Sequence, residues 1–307
     1  MSFTAEVKDE LSHVEPTCPQ CDRAELSALV RIQGTLSITG GEGRAHLDVA
    51  TETASVARTL IRLIHGVYGL ATELTVRRSV LHKTHNYLIT VPSQQGLALA
   101  LEDMGLLGES GFEQGIKPDL VERGCCAGAY LRGAFLSGGY ISDPRGDFHF
   151  ELTSSTRELA DGFVMLMAAN GIKSRAIRRH SSYLVYIKSV DEIVAFLAFV
   201  GAHQSALSME NARVIKSVRN DTNRRVNAEI ANQVKASEAA MGQIERIERL
   251  VEEQGADALP PSLREVAELR IANPHLSIKE LGELADPPLS KSAVYHRLRR
   301  IDAMLGE

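Results

Sequence analysis

The chain has 307 residues, of which 44% are hydrophobic and 24% charged, and its formal net charge is −5. This length exceeds the roughly 100 to 200 residues of one domain, so we expect two or more folded units. The acidic balance excludes a uniformly basic nucleic-acid binder, so any such function has to lie in local patches. The charged amino terminus has no signal-type apolar region, and the longest apolar run, 193–202, is too short for a bilayer. We therefore expect a cytoplasmic protein with no membrane partner and with reduced thiols.

The hydrophobic pattern predicts one series of elements that occurs twice. In the first copy, helices are expected at 24–34, 53–69 and 93–106, with strands near 35–39, 44–50, 71–79 and 85–91. In the second copy, helices are expected at 123–137, 155–170 and 190–200, with strands near 139–142, 147–153, 172–179 and 183–188. A repeat of this length predicts two pseudo-symmetric halves of one domain rather than a solenoid.

The first helix of each copy carries a related nine-residue segment. These segments are Leu26–Gly34 (LSALVRIQG) and Leu131–Gly139 (LRGAFLSGG), and both resemble the LAGLIDADG motif of homing endonucleases. In that motif the eighth residue is an acid that holds a metal ion at the scissile phosphate, but here it is Gln33 or Gly138. Small residues such as Ala28 and Gly133 predict that the two helices pack closely.

Metal-assisted cleavage needs carboxylates beside the phosphate, and the two motifs lack them. Asp143 and Asp147 follow the second motif, but they lie in a turn beyond the helix. We therefore expect no catalytic residues and no enzymatic activity. A residual endonuclease stays open as an alternative.

The four cysteines give a weak signal for a site. Cys18 and Cys21 have half of the spacing of a zinc site, but no second CxxC or pair of histidines is apparent. Cys125 and Cys126 lie on the second motif helix, where a small buried residue is a sufficient explanation. We expect no metal and no cofactor, and a structural metal or redox site is the alternative.

Beyond the repeats the chain is polar and helical. We expect a repeat domain over 1–204, a helical linker over 205–258 with a break at 219–225 (RNDTNRR), and a separate domain over 259–307. Ser262 and Ser277 each precede a glutamate by three residues, which predicts two capping boxes that start helices at 262–273 and 277–285. Prolines at 287 and 288 end the second helix, and Ser290 is expected to cap a third.

The third helix carries the pattern of a recognition helix. Val294, Leu298, Ile301 and Leu305 recur on one face, and four basic residues occur without an acid between Asp286 and Asp302. A major-groove helix needs cations for phosphates and donors for base edges, whereas the alternative is a solvated basic helix end. The connection before it is longer than a tight helix-turn-helix turn and is similar to that of sigma-factor region four. The candidate DNA-binding residues are Ser290, Lys291, Ser292, Tyr295, His296, Arg297, Arg299 and Arg300.

Basic residues also occur at equivalent strands of both repeats, in stretches that contain no acid. In a saddle-shaped LAGLIDADG-like domain these strands would follow DNA, so binding would survive the loss of cleavage. The alternative is a solvated sheet face, because alternation puts only half of the residues on one side. The candidate secondary contacts, with two linker arginines, are Arg77, Arg78, Lys83, Lys173, Arg175, Arg178, Arg179, Arg224 and Arg225.

Segments along nearly the whole chain resemble the WhiA family of bacterial regulators. They are SFTAEVKDEL, CCAGAYLRGAFLSGGYISDP, NRRVNAEIANQVKASEAA, LPPSLREVAELRIANP and LSKSAVYHRLRR. The resemblance implies an α+β fold, with a duplicated αββαββα domain of antiparallel sheets, a helical linker and an all-α helix-turn-helix domain. It implies a non-enzymatic transcription regulator in cell division and chromosome segregation, with sporulation control in actinobacterial relatives.

The expected partner is double-stranded DNA, at promoters or on the nucleoid, with a partner regulator or an RNA polymerase sigma factor as a further partner. A protein-interaction scaffold in division, without sequence recognition, is the remaining alternative. Steep salt dependence of DNA binding would separate the two, because only phosphate contacts release counterions.

Overall fold

The computed structural model describes residues 2–39, 44–78, 85–108 and 111–305. The chain divides into two compact units, Met1–Lys216 and Ser217–Glu307. None of the helices in the described ranges combines the length and the apolar character that crossing a lipid bilayer requires. The division into a repeat domain, a linker and a terminal domain at 204 and 258 stays a prediction.

The first unit contains the two predicted repeats. Its elements follow one another as α1 (Phe3–Leu11), α2 (Pro19–Gln33), β1 (Gly34–Thr39), β2 (Arg44–Thr51), α3 (Ala54–Tyr68), β3 (Glu73–Arg78), β4 (His85–Val91), α4 (Leu97–Asp103), β5 (Leu107–Gly108), β6 (Gly111–Phe112), α5 (Gly124–Gly138), β7 (Gly139–Ile141), β8 (Phe150–Ser154), α6 (Arg157–Ala169), β9 (Arg175–Arg179), β10 (Ser182–Ile187) and α7 (Val190–Val200). A short 3-10 helix, Pro118–Leu120, precedes α5.

The two repeats build the same antiparallel sheet. The strand orders are β1-β2-β4-β3 and β7-β8-β10-β9, so each strand of one sheet has a counterpart at the same place in the other. Both sheets bury one face against helices in a common apolar core. The duplication predicted from the hydrophobic pattern is confirmed, and so is the α+β class.

The motif helices α2 and α5 form the centre of this core. Ala28 and Ala134 are fully buried, and a side chain at Gly133 would collide with the backbone carbonyl of Glu25. The Ser137 hydroxyl donates to the Leu29 carbonyl at 3.1 Å. The predicted close packing of the two helices, which we call the seam, is confirmed.

Helix α1 is an element that the sequence analysis did not predict. Ser2 caps it, and Val7 and Leu11 are buried in the core of the first unit. The Glu10 carboxylate accepts hydrogen bonds from the backbone N–H groups of Gln204 and Ser205 at 2.7 and 3.0 Å. These N–H groups belong to the first turn of the helix that begins at His203, where they have no partner within the helix. Glu10 therefore caps that helix, although it lies 194 residues before Gln204 in the sequence.

That helix, α8 (His203–Gln254), is continuous through the predicted break, so the prediction of a break at 219–225 was wrong. The segment is polar, but it contains neither glycine nor proline, the two residues that interrupt helices most strongly. Thr222 donates its hydroxyl to the Val218 carbonyl at 3.0 Å, and Arg224 pairs with Asp221 one turn earlier. Polarity alone therefore did not mark a helix end here.

The second unit contains the later part of α8, a short 3-10 helix (Ala256–Ala258) and three further helices. These are α9 (Pro261–Ala272), α10 (Ile278–Leu284) and α11 (Lys291–Met304). The capping box of Ser277 and Glu280 is confirmed, with both reciprocal hydrogen bonds present at 3.3 and 2.8 Å.

The capping box predicted at Ser262 was wrong. Helix α9 begins at Pro261, so Ser262 already lies inside the first turn and makes no cap. Proline suits the first helical position because its missing N–H would have no partner there. Glu265 accepts instead from the backbone N–H of Asp286 at 3.1 Å.

Candidate nucleic-acid interface

Helix α11 is fixed by its apolar face. Val294, Leu298 and Ile301 are buried in the core of the second unit, and Leu305 packs against that core from its edge. These are the residues whose spacing predicted a packing face. The opposite face of α11 is therefore turned away from α9 and α10.

The start of α11 is set by a cap and by a close turn. The Ser290 hydroxyl accepts from the Ala293 N–H at 3.2 Å, as predicted for an N-cap. Just before it, Leu289 donates its N–H to the Gly282 carbonyl at 2.8 Å. A side chain at position 282 would collide with the Leu289 carbonyl, so glycine allows α10 to approach this turn.

The exposed face of α11 carries most of the predicted DNA-binding side chains. Ser292, Tyr295 and Arg299 follow at intervals of three and four residues, so they form one row along the helix. The exposed candidates are Ser290, Lys291, Ser292, Tyr295, His296, Arg299 and Arg300. Within the part of the chain that is described, neither Lys291 nor these two arginines form an ion pair, so their charges face solvent.

Arg297 differs from the other candidates. It is half-buried, and its Nη1 lies 3.2 Å from Glu265 Oε2 and donates to the Ser262 carbonyl at 3.2 Å. These contacts hold α11 against the first turn of α9. The guanidinium is therefore already engaged within the unit, whereas a base contact would require it to leave these partners.

In the second repeat the strand register separates the basic residues into two faces. Tyr140, Glu151, Tyr186 and Arg175 lie opposite one another in a single row across β7, β8, β10 and β9. This row belongs to the open face of the sheet, because the adjacent positions on β8 and β10 point into the core. Arg179, four residues after Arg175, lies on the same face.

The other basic residues of this repeat are placed differently. Arg178 pairs with Tyr183, on the face that carries the buried Val185, and it is exposed only because β9 is the edge strand. Lys173 precedes β9 and is exposed, and its backbone N–H donates to Glu192 at 2.8 Å. On the open face Arg179 lies 3.7 Å from Glu151, so the cationic character of that face is partly neutralised.

The first repeat shows a weaker basic character. Arg77 lies on the open face of its sheet, but Glu73 is on the same face of β3 and Asp48 is in the same row as Glu73. Arg78 lies on the opposite face, opposite His85. The predicted contact Lys83 lies outside the described residues, as does His82. The linker candidates, Arg224 and Arg225, are exposed on α8.

The carboxyl ends of the motif helices carry neutral or cationic groups where a nuclease has acids. The Gln33 amide and the Lys8 ammonium both donate to the Ser137 carbonyl, at 2.9 and 3.4 Å. Burial lowers the pKa of Lys8 to about 8, although the Glu52 carboxylate opposes this shift. A side chain at Gly138 would lie within 2.9 Å of the Thr153 carbonyl, so the helix end is also sterically closed to an acid.

Asp143 and Asp147 do not supply acids at the carboxyl ends of the motif helices. Asp143 pairs with Arg145 at 2.6 Å, and hydrogen bonds from that side chain lower the pKa of Asp143 to about 2. Asp147 is exposed, and its backbone carbonyl accepts from Ser142. Within the described ranges, one group of three or more side chains is placed to hold a metal ion, and it contains no carboxylate.

That group consists of the four cysteines. Their Sγ atoms all lie within 4.8 Å of one another, although Cys18 and Cys21 belong to α2 and its cap, and Cys125 and Cys126 to α5. Burial raises the pKa of Cys126, and the hydrogen bonds with Cys18 and Cys125 raise it further. Cys125 and Cys126 are adjacent in the sequence and do not form a second CxxC, so the sequence pattern alone did not connect them with Cys18 and Cys21.

Three family models match successive parts of the chain. They are the WhiA N-terminal LAGLIDADG-like domain over residues 19–107, the WhiA LAGLIDADG-like domain over 127–219, and the WhiA C-terminal HTH domain over 222–305. The chain belongs to the WhiA family. The resemblance found in the sequence is thereby confirmed.

Individual members of the WhiA family match over nearly their whole length. The probable cell division protein WhiA of Heliobacterium modesticaldum is 41% identical over 306 residues, which cover 99% of this chain and 96% of that protein. The probable cell division protein WhiA of Desulfitobacterium hafniense is 43% identical over 306 residues, covering 99% and 95%. This is a family of cell division proteins that carry an HTH domain.

Two solved WhiA structures share the fold. The crystal structure of full-length DUF199/WhiA from Thermatoga maritima has a TM-score of 0.63 and 26% identity, and the match covers 99% of this chain and 98% of that one. The crystal structure of the N-terminal LAGLIDADG domain of DUF199/WhiA has a TM-score of 0.53 and 23% identity over 65% of this chain and 90% of that one.

Proposed function

We propose that this WhiA-family chain is a non-enzymatic DNA-binding regulator in cell division and chromosome segregation, associated with the nucleoid, and that α11 reads its DNA site. The observation that carries the proposal is the exposed face of α11, which lies within the match to the WhiA C-terminal HTH domain over 222–305. Among the residues that the structure describes, the cations Lys291, Arg299 and Arg300 on this face have no ion-pair partner.

The arrangement along α11 suits a major groove. Arg299 lies in the central row with Ser292 and Tyr295, and a guanidinium there can donate two hydrogen bonds to one guanine. Lys291 lies in the first turn, where the helix amino end and the ammonium together favour a phosphate. Arg299 is therefore assigned to base recognition and Lys291 to phosphate contact.

The test uses the full chain and the organism's own DNA. Genomic fragments retained by the purified protein are sequenced to define a site, and affinity for that site is measured by fluorescence anisotropy at several salt concentrations. Arg299→Ala is expected to weaken specific binding by about 1 to 3 kcal/mol and to relax the sequence preference. Lys291→Ala is expected to weaken binding to all sequences and to reduce the salt slope by about one.

The matched control is Arg264→Ala, which removes the same charge from α9, where Arg264 pairs with Asp257 at 3.1 Å. This variant should bind DNA like the unchanged protein. Unchanged affinity in both α11 variants would overturn the assignment of α11. If no genomic fragment is bound, or if the binding does not depend on salt concentration, the proposal of DNA recognition is overturned and the scaffold alternative is favoured.

The absence of nuclease activity is part of the proposal. Lys8 and Gln33 lie at the helix ends, where a divalent ion would need carboxylates, and the ammonium of the half-buried Lys8 repels such an ion. Incubation of the purified protein with supercoiled plasmid and Mg²⁺ or Mn²⁺ should leave the plasmid intact. Metal-dependent nicking that survives Lys8→Met but is lost on chelation would contradict it.

For the repeat domain we propose docking of a protein partner, either a partner regulator or a sigma factor of RNA polymerase. The supporting observation is the open face of the second sheet, where Tyr140 on β7 and Ile177 on β9 are about half exposed and Arg175 lies on the same face. Aromatic residues and arginine are enriched in protein interfaces. Tyr140→Ala with Arg175→Ala should leave DNA affinity unchanged but reduce activated transcription, and a fall in DNA affinity would assign the face to DNA instead.

A further inference from the structure

The fold brings together four thiols that are far apart in the sequence. Cys18 is the N-cap of α2 and Cys21 lies in its first turn, whereas Cys125 and Cys126 lie in the first turn of α5. Each repeat therefore contributes two thiols at the amino end of its motif helix. The two pairs meet at one end of the seam.

The spacing of the sulfur atoms is that of ligands around a single ion. Cys18 Sγ lies 3.5 Å from Cys21 Sγ, 3.8 Å from Cys125 Sγ and 3.5 Å from Cys126 Sγ, and the last two lie 4.0 Å apart. Four sulfurs that each lie about 2.3 Å from a tetrahedral zinc ion are about 3.8 Å apart. A disulfide would need about 2.05 Å, and all four thiols are free.

We propose that these four cysteines form a structural zinc site that joins the two repeats. Sulfur ligands in a tetrahedral set select Zn²⁺ over the hard cations, which prefer oxygen. An iron–sulfur cluster distributes its thiolates over several iron atoms and would hold them farther apart than the observed spacing. On binding, one Zn²⁺ forms four Zn–S bonds and four thiol protons pass to solvent, so the site carries two negative charges.

The surroundings fit this charge and this role. The site lies at the amino ends of two helices, whose dipoles favour negative charge. Packing alone would account for the buried Cys21 and Cys126, but Cys18 and Cys125 are only half-buried. The zinc ion would connect Cys18 with Cys125 and Cys126, which are 107 and 108 residues away in the sequence. It would thereby cross-link α2 and α5 at one end of the seam.

The first test measures metal in the full chain, purified under reducing conditions without chelator. Inductively coupled plasma mass spectrometry should give one zinc per chain. Titration of the thiols with a mercurial reagent should release that zinc. Replacement by Co²⁺ alone should give one equivalent with thiolate-to-cobalt charge transfer and the visible bands of a tetrahedral ion. Metal-free protein that takes up no Co²⁺, or an iron–sulfur cluster, would overturn the proposal.

The second test uses variants of the two half-buried ligands. Cys18→Ser and Cys125→Ser should each lower bound zinc at least tenfold and raise hydrogen exchange at the amino ends of α2 and α5. The control is Gly124→Ser, which adds the same hydroxyl next to Cys125 at an exposed position with no atom within 4 Å, and it should keep its zinc. Full zinc in both cysteine variants, or disulfides in place of zinc, would overturn the proposal. The measurements on the unchanged protein decide the question even if both variants fail to fold.

Discussion

Breaking the ion pair in the seam is the most direct perturbation of the first unit. Arg132 donates from Nε and Nη2 to Glu25 Oε2 at 2.9 and 2.6 Å, and from Nη1 to the Val200 carbonyl at 3.3 Å. The two side chains are only 7% and 2% exposed. The change Arg132→Met keeps the length of the side chain but leaves the buried Glu25 without its hydrogen-bonded cation.

The size of the effect follows from this burial. Removing one partner of a buried ion pair costs about 3 to 5 kcal/mol, because the remaining charge stays desolvated. Burial already raises the pKa of Glu25, and Arg132 opposes that shift, so the variant should raise the pKa further. The folded state then holds the proton more tightly than the unfolded state, and stability falls as pH rises above the unfolded value of 4.5. The loss should thus be small near pH 4 and largest at neutral pH.

The assay is urea denaturation of the full chain at pH 5 and pH 8. Far-ultraviolet circular dichroism follows the unfolding, because the chain has no tryptophan. Hydrogen exchange of peptides from α2 and α5 reports the seam itself. The double variant Glu25→Leu with Arg132→Met removes both charges and should recover most of the lost stability, since apolar side chains of similar volume replace a buried pair at little cost.

Three outcomes would refute this reasoning. One is a loss of less than about 1 kcal/mol for Arg132→Met at pH 8, since that is the range of an exposed pair. Another is equal loss at both pH values. The third is a double variant that is no more stable than Arg132→Met, because the cost would then come from lost packing and not from the uncompensated carboxylate.

Three further predictions concern other parts of the chain. Burial lowers the pKa of Lys8 to about 8, so the unfolded state keeps its proton up to higher pH and stability should rise between about pH 8 and pH 10.5. Lys8→Met should remove that rise and add about 1 to 3 kcal/mol at pH 7, as measured by denaturation, and an unchanged slope would contradict it. Glu10→Ala should cost about 1 to 2 kcal/mol and raise exchange in the first turn of α8, whereas the exposed control Glu15→Ala should do neither. Gly282→Ala should cost the second unit about 1 to 3 kcal/mol and weaken DNA binding. The exposed helical control Gly66→Ala, which meets no atom within 4 Å, should be neutral or stabilising, and equal effects of the two changes would contradict the steric argument.

The repeats and the helix-turn-helix could be predicted because their signals are periodic. Each strand pair and amphipathic helix leaves its own local pattern, and the pattern occurs twice in the same order. The apolar face of α11 was found in the same way, from Val294, Leu298 and Ile301. Local rules failed where a single residue determines a helix start. Ser262 was expected to cap α9, but the helix begins one residue earlier, at Pro261.

Other features depend on contacts between distant residues, which spacing does not encode. Alternation puts Arg175 and Arg178 on different faces of β9, but which of the two faces is open became known only from the strand register. The cluster of four cysteines brings Cys18 next to Cys126 in space. The spacing of a second CxxC does not reveal this cluster, because its second pair consists of adjacent residues. The place of Lys8 beside Ser137 likewise arises from α1, a helix too short and polar to stand out.

The cap that Glu10 provides for α8 also imposes an order of events during synthesis. The accepting carboxylate of Glu10 is synthesised first, and the N–H donors of Gln204 and Ser205 follow 194 and 195 residues later. At about 5 to 20 residues per second this interval is roughly 10 to 40 s. The Ser137 carbonyl that accepts from Lys8 follows 129 residues after it, so α1 lacks that contact for part of the interval and lacks the start of α8 until its end. The first unit can therefore be completed only once Ser205 has been translated, and apolar residues that are not yet packed are open to chaperones until then.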